Sequence, residues 1–411
     1  MLENAAAQSD LQRQRPLGDE SAPIVFGEAD VATTSPPLRA GSITLVLPAI
    51  GAGGSEHVVS MLCNHFVRRG LTIRLVCFDP PGTKPFYPLD NGVALTCLGL
   101  PPHRRGPIAR SLAMLQRYRR LKTELRRHRP DLVIAFLTRT NVLAALAART
   151  LSIPVVVSER NNPQRQPVGA VWGWLRRLAY RRADALVTMT HGAVRFFDPV
   201  PGRIDQVIPN HASLPREPAS YDQAGTRLVA VGRLVDQKGF DLLLQAFARI
   251  ADRFPSWELV IWGEGPLREE LEQLRHDLGL DDRVAMPGIT SEPGAWVSGA
   301  DLFVLSSRFE GWGLVVGEAM AAGIPVVSFD CPWGPGEMIE HGRSGLLVPD
   351  QNVAALAATL AQAMVDSPLR QRLGETGREA MKRHAPERIL AQWEALIARV
   401  VRAPVPRGSD R

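Results

Sequence analysis

Short apolar runs alternate with stretches of helical period along most of this chain. The runs are ITLVL (43–47), TIRLVC (72–77), VALTCL (93–98), LVIAF (132–136), VVVSE (155–159) and ALVTM (185–189). Apolar strands separated by helical segments predict parallel strands buried on both faces. Prolines at 199–201 and 209–218 then interrupt the alternation and predict a domain boundary with a linker near 212–224. The theme resumes with RLVAV (227–231), ELVIW (258–262), RVAM (283–286), DLFVL (301–305), VVSF (326–329) and GLLV (345–348). After the first of these, Phe240, Leu243, Leu244, Phe247, Ile250 and Phe254 repeat with a 3.6-residue period. Ile389, Leu390, Trp393, Leu396, Ile397 and Val400 mark a long amphipathic helix near the end. The pattern predicts two doubly wound α/β domains in tandem, with ligands beyond the carboxyl ends of the strands.

A length of 411 residues exceeds one ordinary core and agrees with two domains. Residues 1–40 lack periodicity and are expected to form a disordered arm. Their first stretch has no apolar core of a signal peptide, and no run reaches the length of a membrane span. The four cysteines, Cys63, Cys77, Cys97 and Cys331, have no metal-ligand spacing and read as buried hydrophobes of a reducing compartment. Charge is uneven: residues 1–210 hold 27 Lys and Arg against 15 Asp and Glu, which leaves 21 against 27 for the rest. A basic first half points to an anionic partner: nucleic acid, a phosphate-bearing substrate or an anionic membrane.

The strand-to-helix loops carry the candidate chemistry. PAIGAGGSEH (48–57) combines Gly51, Gly53 and Gly54 with a helix start, which suits close approach of an anion; the plain alternative is a tight turn. GRLVDQKG (232–239) brackets a turn with Arg233 and Lys238, a fork and a point charge able to converge on a diphosphate, or simply two solvated cations. GEGP (263–266) and PGIT (287–290) are weaker signals of the same shape. The strongest is FEGWGLVVGEAMAAGIPVV (309–327). Here Glu310 lies in a glycine-bracketed turn and Glu318 on an apolar helix beginning near Gly313 or Leu314. A helix N-terminus favours phosphate oxygens, and a carboxylate accepts both hydrogens of a sugar diol. A nucleotide sugar fits this combination; the plain alternative has Glu310 capping a turn and Glu318 facing solvent. DCPWGPGE (330–337), one strand further on, offers Gly334 and Glu337 to the same pocket.

Together these motifs, over residues 43 to about 400, resemble the retaining glycosyltransferases of family 4, and the 309–327 stretch matches that family's E-x7-E motif. SERNNP (158–163) and CPWGPGEMI (331–339) look like a branch acting on lipid-linked or cell-surface glycans. The resemblance implies a GT-B fold with an arm over 1–40, an acceptor-side domain over 41–212 and a nucleotide-sugar domain over 225–384. A helix over 385–403 then crosses back to the first domain, and a tail follows over 404–411. It assigns Arg233 and Lys238 to the donor diphosphate, Glu310 to the transferring sugar and Glu318 to the ribose. Backbone at Gly313 and Leu314 would meet phosphate, and Gly263, Gly288 and Ile289 would line the donor, the last two at the base. Gly53 and Gly54 would let the first domain close on the diphosphate. Many relatives carry a histidine in the loop after the fifth strand; here Glu159, Arg160 and Asn161 stand there as a candidate sugar or acceptor pocket, with Gly334 and Glu337.

No D-x-D occurs in the ordered part, in keeping with a metal-free, cofactor-free reaction in which Arg, Lys and helix ends neutralise the diphosphate. The implied donor nucleotide is UDP, the sugar a hexose or N-acetylhexosamine. Ten Arg and Lys lie between Arg104 and Arg129 against Glu124 alone, with Ile108, Leu112, Leu115, Leu121 and Leu125 as the apolar face. AVWGWLRRLAYRR (170–182) adds Trp172 and Trp174. Basic amphipathic helices with tryptophan suit an anionic membrane, or else are outer helices with a solvated face. Nucleic acid fits the charge but not the sugar-binding loops. The expected partners are thus a nucleotide sugar, a glycan or lipid-diphosphate acceptor and an anionic membrane surface. The expected place is the cytoplasm, at the inner face of the plasma membrane. Two rivals stay open. One is a sugar-nucleotide epimerase or glycan phosphorylase of the same plan, although no lysine for pyridoxal phosphate is identifiable; the other is a non-catalytic binder.

Overall fold

The computed structural model describes residues 41–100, 107–212, 226–290 and 294–402. The expected arm over 1–40, the linker from 213 to 224 and the tail lie outside the described residues. The first sheet contains β1 (Ser42–Val46), β2 (Thr72–Cys77), β3 (Val93–Cys97), β4 (Leu132–Phe136), β5 (Val155–Ser158), β6 (Ala185–Thr188) and β7 (Ile204–Val207). All its pairings are parallel, in the order β3-β2-β1-β4-β5-β6-β7. Helices α1 (Gly54–Arg68), α2 (Pro107–His128), α3 (Thr138–Arg149), α4 (Ala170–Tyr180) and α5 (His191–Arg195) connect the strands.

The second sheet is also parallel, in the order β10-β9-β8-β11-β12-β13. It comprises β8 (Arg227–Val231), β9 (Glu258–Trp262), β10 (Val284–Gly288), β11 (Leu302–Leu305), β12 (Val326–Phe329) and β13 (Leu346–Val348). Its helices are α6 (Phe240–Ala248), α7 (Arg268–Asp277), α8 (Leu314–Ala322), α9 (Val353–Val365) and α10 (Ser367–Met381), followed by α11 (Pro386–Arg402). Strands β4, β11 and β12 are buried along their whole length, as continuous apolar runs between two helical layers must be.

Three details differ from the sequence reading. β7 was not foreseen: its four residues, IDQV, include two polar ones and form a half-buried edge between the prolines read as an interruption. β10 runs on through Pro287 and Gly288, with an irregular register between Ala285 and Gly288. On α2, Leu121 and Leu125 are buried, but Leu112 and Leu115 are exposed: the stripe that meets the core runs through Ala113, Met114, Arg117, Tyr118, Leu121 and Leu125 and leaves the two leucines outside it. The side chains of Ile108 and Arg110, with Arg104 and Arg105, lie outside the described residues. Arg117 of the same helix turns inward and donates through Nε and Nη2 to the carbonyl of Leu100, at 2.9 and 2.8 Å.

Helix α11 belongs to the first core by packing, although it follows the second sheet in sequence. Ile389, Trp393, Leu396, Ile397 and Val400 join Ile43, Leu45, Leu62, Phe66 and Phe136 in one buried cluster. Trp393 is fully buried, with its ring centroid 6.0 Å from that of Phe136. Among the described residues no helix is long and apolar enough to cross a membrane.

Candidate functional site

Each sheet reverses its strand order once, between β1 and β4 in the first and between β8 and β11 in the second. A parallel sheet opens a crevice at such a point, because the loops on either side leave for opposite faces. The Gly-rich loop 47–53 follows β1, loop 232–239 follows β8, and loop 306–313 follows β11. The candidate motifs therefore stand at the crevices, two of them on either side of one crevice.

In the second domain the loops are tied to one another by backbone. Gly232 N–H donates to Trp262 O (2.9 Å), Leu234 N–H to Glu264 O (2.9 Å) and Gly263 N–H to Gly288 O (2.8 Å). The turn Asp236–Lys238 is stitched to the loop after β11: Ser306 Oγ donates to Lys238 O (2.9 Å) and Arg308 N–H to Gln237 O (2.8 Å). Gly239 ends this turn at φ 61°, where an added Cβ would overlap the carbonyl oxygen of Ser306. This stitching brings together two predicted residues that are 72 apart in sequence. Lys238 Nζ lies 2.6 Å from Glu310 Oε1, and Ser307 Oγ donates to the same oxygen at 2.7 Å. The pair is largely withdrawn from water, with side-chain exposures of 17% and 8%. Gly334 packs beneath Glu310, for a Cβ there would sit 3.3 Å from Glu310 Cβ. Gly313 follows at φ 86°, capping α8, so the first N–H groups of that helix open beside the pair.

The first domain meets this arrangement with the start of α1. An added Cβ on Gly54 would lie 3.4 Å from Leu314 Cδ2, at the first turn of α8. Glu56, in the first turn of α1, faces Arg233 closely enough for their charges to interact. Burial nonetheless holds the Glu56 carboxyl above its ordinary range, more than its backbone N–H and Arg233 offset. Tyr87 stacks on His57 (ring centroids 4.6 Å apart, planes 10° apart) and lies within charge range of both Glu318 and Glu56. Its hydroxyl is pushed up to about 12 by burial and then by those two carboxylates. Exposed Ile289 and the Gly288 backbone border the same face of the second domain, where a Cβ on Gly288 would come 3.0 Å from Glu264 Oε1.

Glu318 is raised to about 7 by burial on its apolar helix, an effect the indole N–H donated by Trp296 offsets only in part. Folding therefore holds a proton on Glu318 that the unfolded chain releases from pH 4.5 upward. This group's contribution to stability then falls as pH rises to about 7. Glu318→Gln is expected to remove that loss. Urea unfolding at a series of pH values should show wild type weakening relative to the variant across this window; parallel profiles would refute the assignment.

The remaining candidates occupy other positions. Glu159 is buried, and its carboxylate accepts from Thr138 Oγ1 (2.9 and 3.0 Å) and Tyr180 OH (2.8 Å), with Asn141 donating to the same tyrosine. It closes a buried network inside the first domain. Arg160 is also buried, its guanidinium centre 5.4 Å from the Phe136 ring and 5.8 Å from Trp393, and burial lowers it to about 9. Its carbonyl meets the second domain, where a Cβ on Gly311 would lie 2.6 Å from it. Asn161 is half-buried, and its backbone N–H bonds Glu159. Glu337 accepts from the backbone N–H of His191 (2.7 Å) and Gly192 (2.9 Å), so it caps the start of α5 across the domain boundary. Beside it, Asn162 Nδ2 donates to Pro332 O (3.0 Å) and Trp333 packs against Gly192. Glu159 and Glu337 thus serve as internal and interdomain fasteners in this conformation. Tyr87, Trp296, Asn162 and Trp333 carry no role in the sequence analysis: Asn162 and Trp333 stand inside the SERNNP and DCPWGPGE stretches and Tyr87 and Trp296 in no motif, and only the packing identifies all four.

Comparison with known proteins agrees with this architecture. A "Glycosyl transferase 4-like domain" model matches residues 53–211, and a "Glycosyl transferases group 1" model matches residues 217–380. A lipopolysaccharide core biosynthesis glycosyltransferase of Rhizobium meliloti is 30% identical over 270 residues, 64% of this chain and 74% of that protein. A Campylobacter jejuni N-acetylgalactosaminyltransferase, named for an undecaprenol-diphosphate-linked glycan, is 26% identical over 88% of this chain and 99% of its own length. An exopolysaccharide phosphotransferase of Streptomyces coelicolor is 32% identical over 275 residues, 66% of this chain, but the match spans only 29% of that protein. The fold superposes on Anabaena HepE, solved in complex with UDP and glucose, with a TM-score of 0.71 at 18% identity, covering 87% of this chain and 99% of that one. With two parallel Rossmann-like sheets, its crevices at the strand reversals and both halves matched in order, the chain belongs to the GT-B glycosyltransferases of family 4 type.

Proposed function

We propose that the protein transfers a hexose or N-acetylhexosamine from a nucleotide diphosphate sugar, with UDP as the nucleotide, to a lipid-linked or surface-polysaccharide acceptor, with retention at the anomeric carbon. The observation that carries the reading is the Lys238–Glu310 pair, 2.6 Å apart beside the N-terminus of α8. In a sugar diphosphate the β-phosphate and the anomeric carbon share one oxygen, so a cation for the first and a carboxylate for the second must be neighbours. Lys238 takes the phosphate, Glu310 orients sugar hydroxyls through Oε2, and Arg233 and the N–H groups at Gly313 and Leu314 hold the rest of the diphosphate. Glu318, with Trp296 behind it and Tyr87 opposite, takes the ribose hydroxyls; Gly263, Gly288 and Ile289 border the base.

The chemical task is to stabilise negative charge that grows on the β-phosphate as the bond to the sugar breaks. Fixed donors do this better than water, since they need no reorientation during the step. These residues supply the positive charge. Retention follows from attack on the face the phosphate leaves, where the departing oxygen takes the acceptor proton. The acceptor class rests on the Campylobacter and Rhizobium relatives, and the membrane-adjacent cytoplasmic position on the basic first half.

Incubation with UDP-, GDP- and ADP-sugars without acceptor tests the reading. Slow release of UDP with free sugar is the expected result. A new sugar epimer with no nucleotide released would replace it with the epimerase reading.

A further inference from the structure

A cavity of about 510 Å³ lies in the first domain between α4 and the segment 196–203, away from the donor loops. Its volume falls in the range of small-molecule sites. Arginines dominate its polar wall. Arg176 lies over Phe196 and Phe197, at 5.2 and 5.4 Å, and its Nη1 is buried without a hydrogen-bond partner among the described residues. Arg177 and Arg181 line the same wall, are exposed, and have no ion pair among the described residues. Arg203 is already committed to Asp205 and to the carbonyls of Tyr180 and Asp198, so it stiffens the floor without offering charge. Asp198 is the one carboxylate in the lining. Arg176 also lies within charge range of the buried Glu159, so the wall's surplus of positive charge rests on Arg177 and Arg181, with the unmet Arg176 donor at its base, and a buried donor without a partner is costly.

The rim is apolar. Trp174 is 58% exposed and Phe196 39%, and Val171 stands out at 70% in the first turn of α4. Large apolar side chains gathered at one place on a surface mark a contact site. Such a rim around a cationic wall fits an anion carried on a hydrocarbon chain better than either alone. The position fits as well: Phe196 meets the ring of Trp333 in the second domain at 6.1 Å, and the next residue, Gly334, packs beneath Glu310.

We propose that this pocket binds the phosphate end of an acceptor whose phosphate is esterified to an apolar chain, the chain lying over Trp174 and Phe196 and the glycan running past Trp333 toward Glu310. The inference rests on the acceptor class proposed above and adds where its phosphate is held. Arg176 supplies the inner donor, and Arg177 and Arg181 the outer charge. A bare membrane surface would use the rim but has no need of the enclosed donor.

Calorimetric titration of the full chain with farnesyl diphosphate, farnesol and inorganic pyrophosphate tests it. Farnesyl diphosphate is expected to bind at least about tenfold more tightly than either fragment, because charge and apolar area act together. Arg177→Glu with Arg181→Glu should weaken it by about tenfold or more, and Arg177→Lys with Arg181→Lys should restore most of the loss. Trp174→Ala should weaken farnesyl diphosphate and leave pyrophosphate unchanged. An unaltered melting temperature shows that the variants are folded. Three results would overturn the proposal: pyrophosphate binding as tightly as farnesyl diphosphate, charge reversal without effect, or the variants losing binding only to phosphatidylglycerol vesicles. The first indicates a free-phosphate site and the last a flat membrane contact. Wild type that binds farnesyl diphosphate yet hydrolyses no nucleotide sugar leaves the pocket standing and removes the transferase reading.

Discussion

Lys238→Met is expected to lower kcat for donor hydrolysis by about two to three orders of magnitude, as removal of one fixed donor at a developing oxyanion does. That corresponds to about 2.7–4 kcal/mol of transition-state stabilisation. With the roles proposed above, KM should move by less than about tenfold, because the ground-state diphosphate would keep Arg233 and the α8 N-terminus, and Lys238 would gain most as the leaving charge develops. The variant also leaves the carboxylate of Glu310, 8% exposed, with Ser307 as its remaining partner. Breaking a buried pair at one end destabilises a fold, so urea unfolding is measured alongside the kinetics. The double variant Lys238→Met with Glu310→Gln removes that unpaired charge; it should recover stability without recovering turnover. A kcat within about tenfold of wild type in the stable double variant would show that Lys238 does not act on the leaving group.

Gly263→Ala should cost about 3 kcal/mol or more of stability, read as the shift in urea midpoint, because strain and steric overlap coincide there. Gly263 has φ 146°, and a Cβ on it would overlap the carbonyl oxygen of Gly232, a backbone atom that no rotamer change can move aside. Relief requires the loops after β8 and β9 to part, and these loops are joined by Gly232 N–H to Trp262 O and Leu234 N–H to Glu264 O. The donor crevice should therefore loosen with the fold, and UDP affinity should fall in parallel. Gly51→Ala is the control: a Cβ there meets nothing within 4 Å at an ordinary φ, so its effect should stay within about 0.5 kcal/mol. Equal midpoints for the two variants would show that the crevice tolerates the overlap.

Apart from the half-polar edge strand β7, the strands of both sheets and the loops at their reversals were legible in the sequence, because strands buried on both faces are uniformly apolar and must end in turns. The pairing of Lys238 with Glu310 was not, although each had been singled out. Their contact depends on how the turn after β8 stacks on the loop after β11, a relation between backbones that leaves no period in either segment. The contacts of Glu337, Asn162 and Trp333 were hidden for the same reason: each reaches residues about 140 to 170 positions away in the other domain. The contacts of Glu159 were hidden too, because a carboxylate beside an arginine in a strand-end loop looks the same whether it meets a ligand or a buried tyrosine. On α2, Leu112 and Leu115 keep the helical spacing, but the core meets the neighbouring stripe through Ala113, Met114 and Tyr118.

The placement of α11 sets an order of events during synthesis. Trp393 and its neighbours close the core built on Leu45 and Phe136, yet the ribosome makes them after every strand of the second sheet. Between Val207 and Pro386 the growing chain waits on the order of ten to forty seconds at common elongation rates. Through that interval the apolar face that will receive Trp393 has no cover of its own. The second domain must therefore be largely made before the first can finish folding, and the nascent chain presents a hydrophobic surface to chaperones for that time.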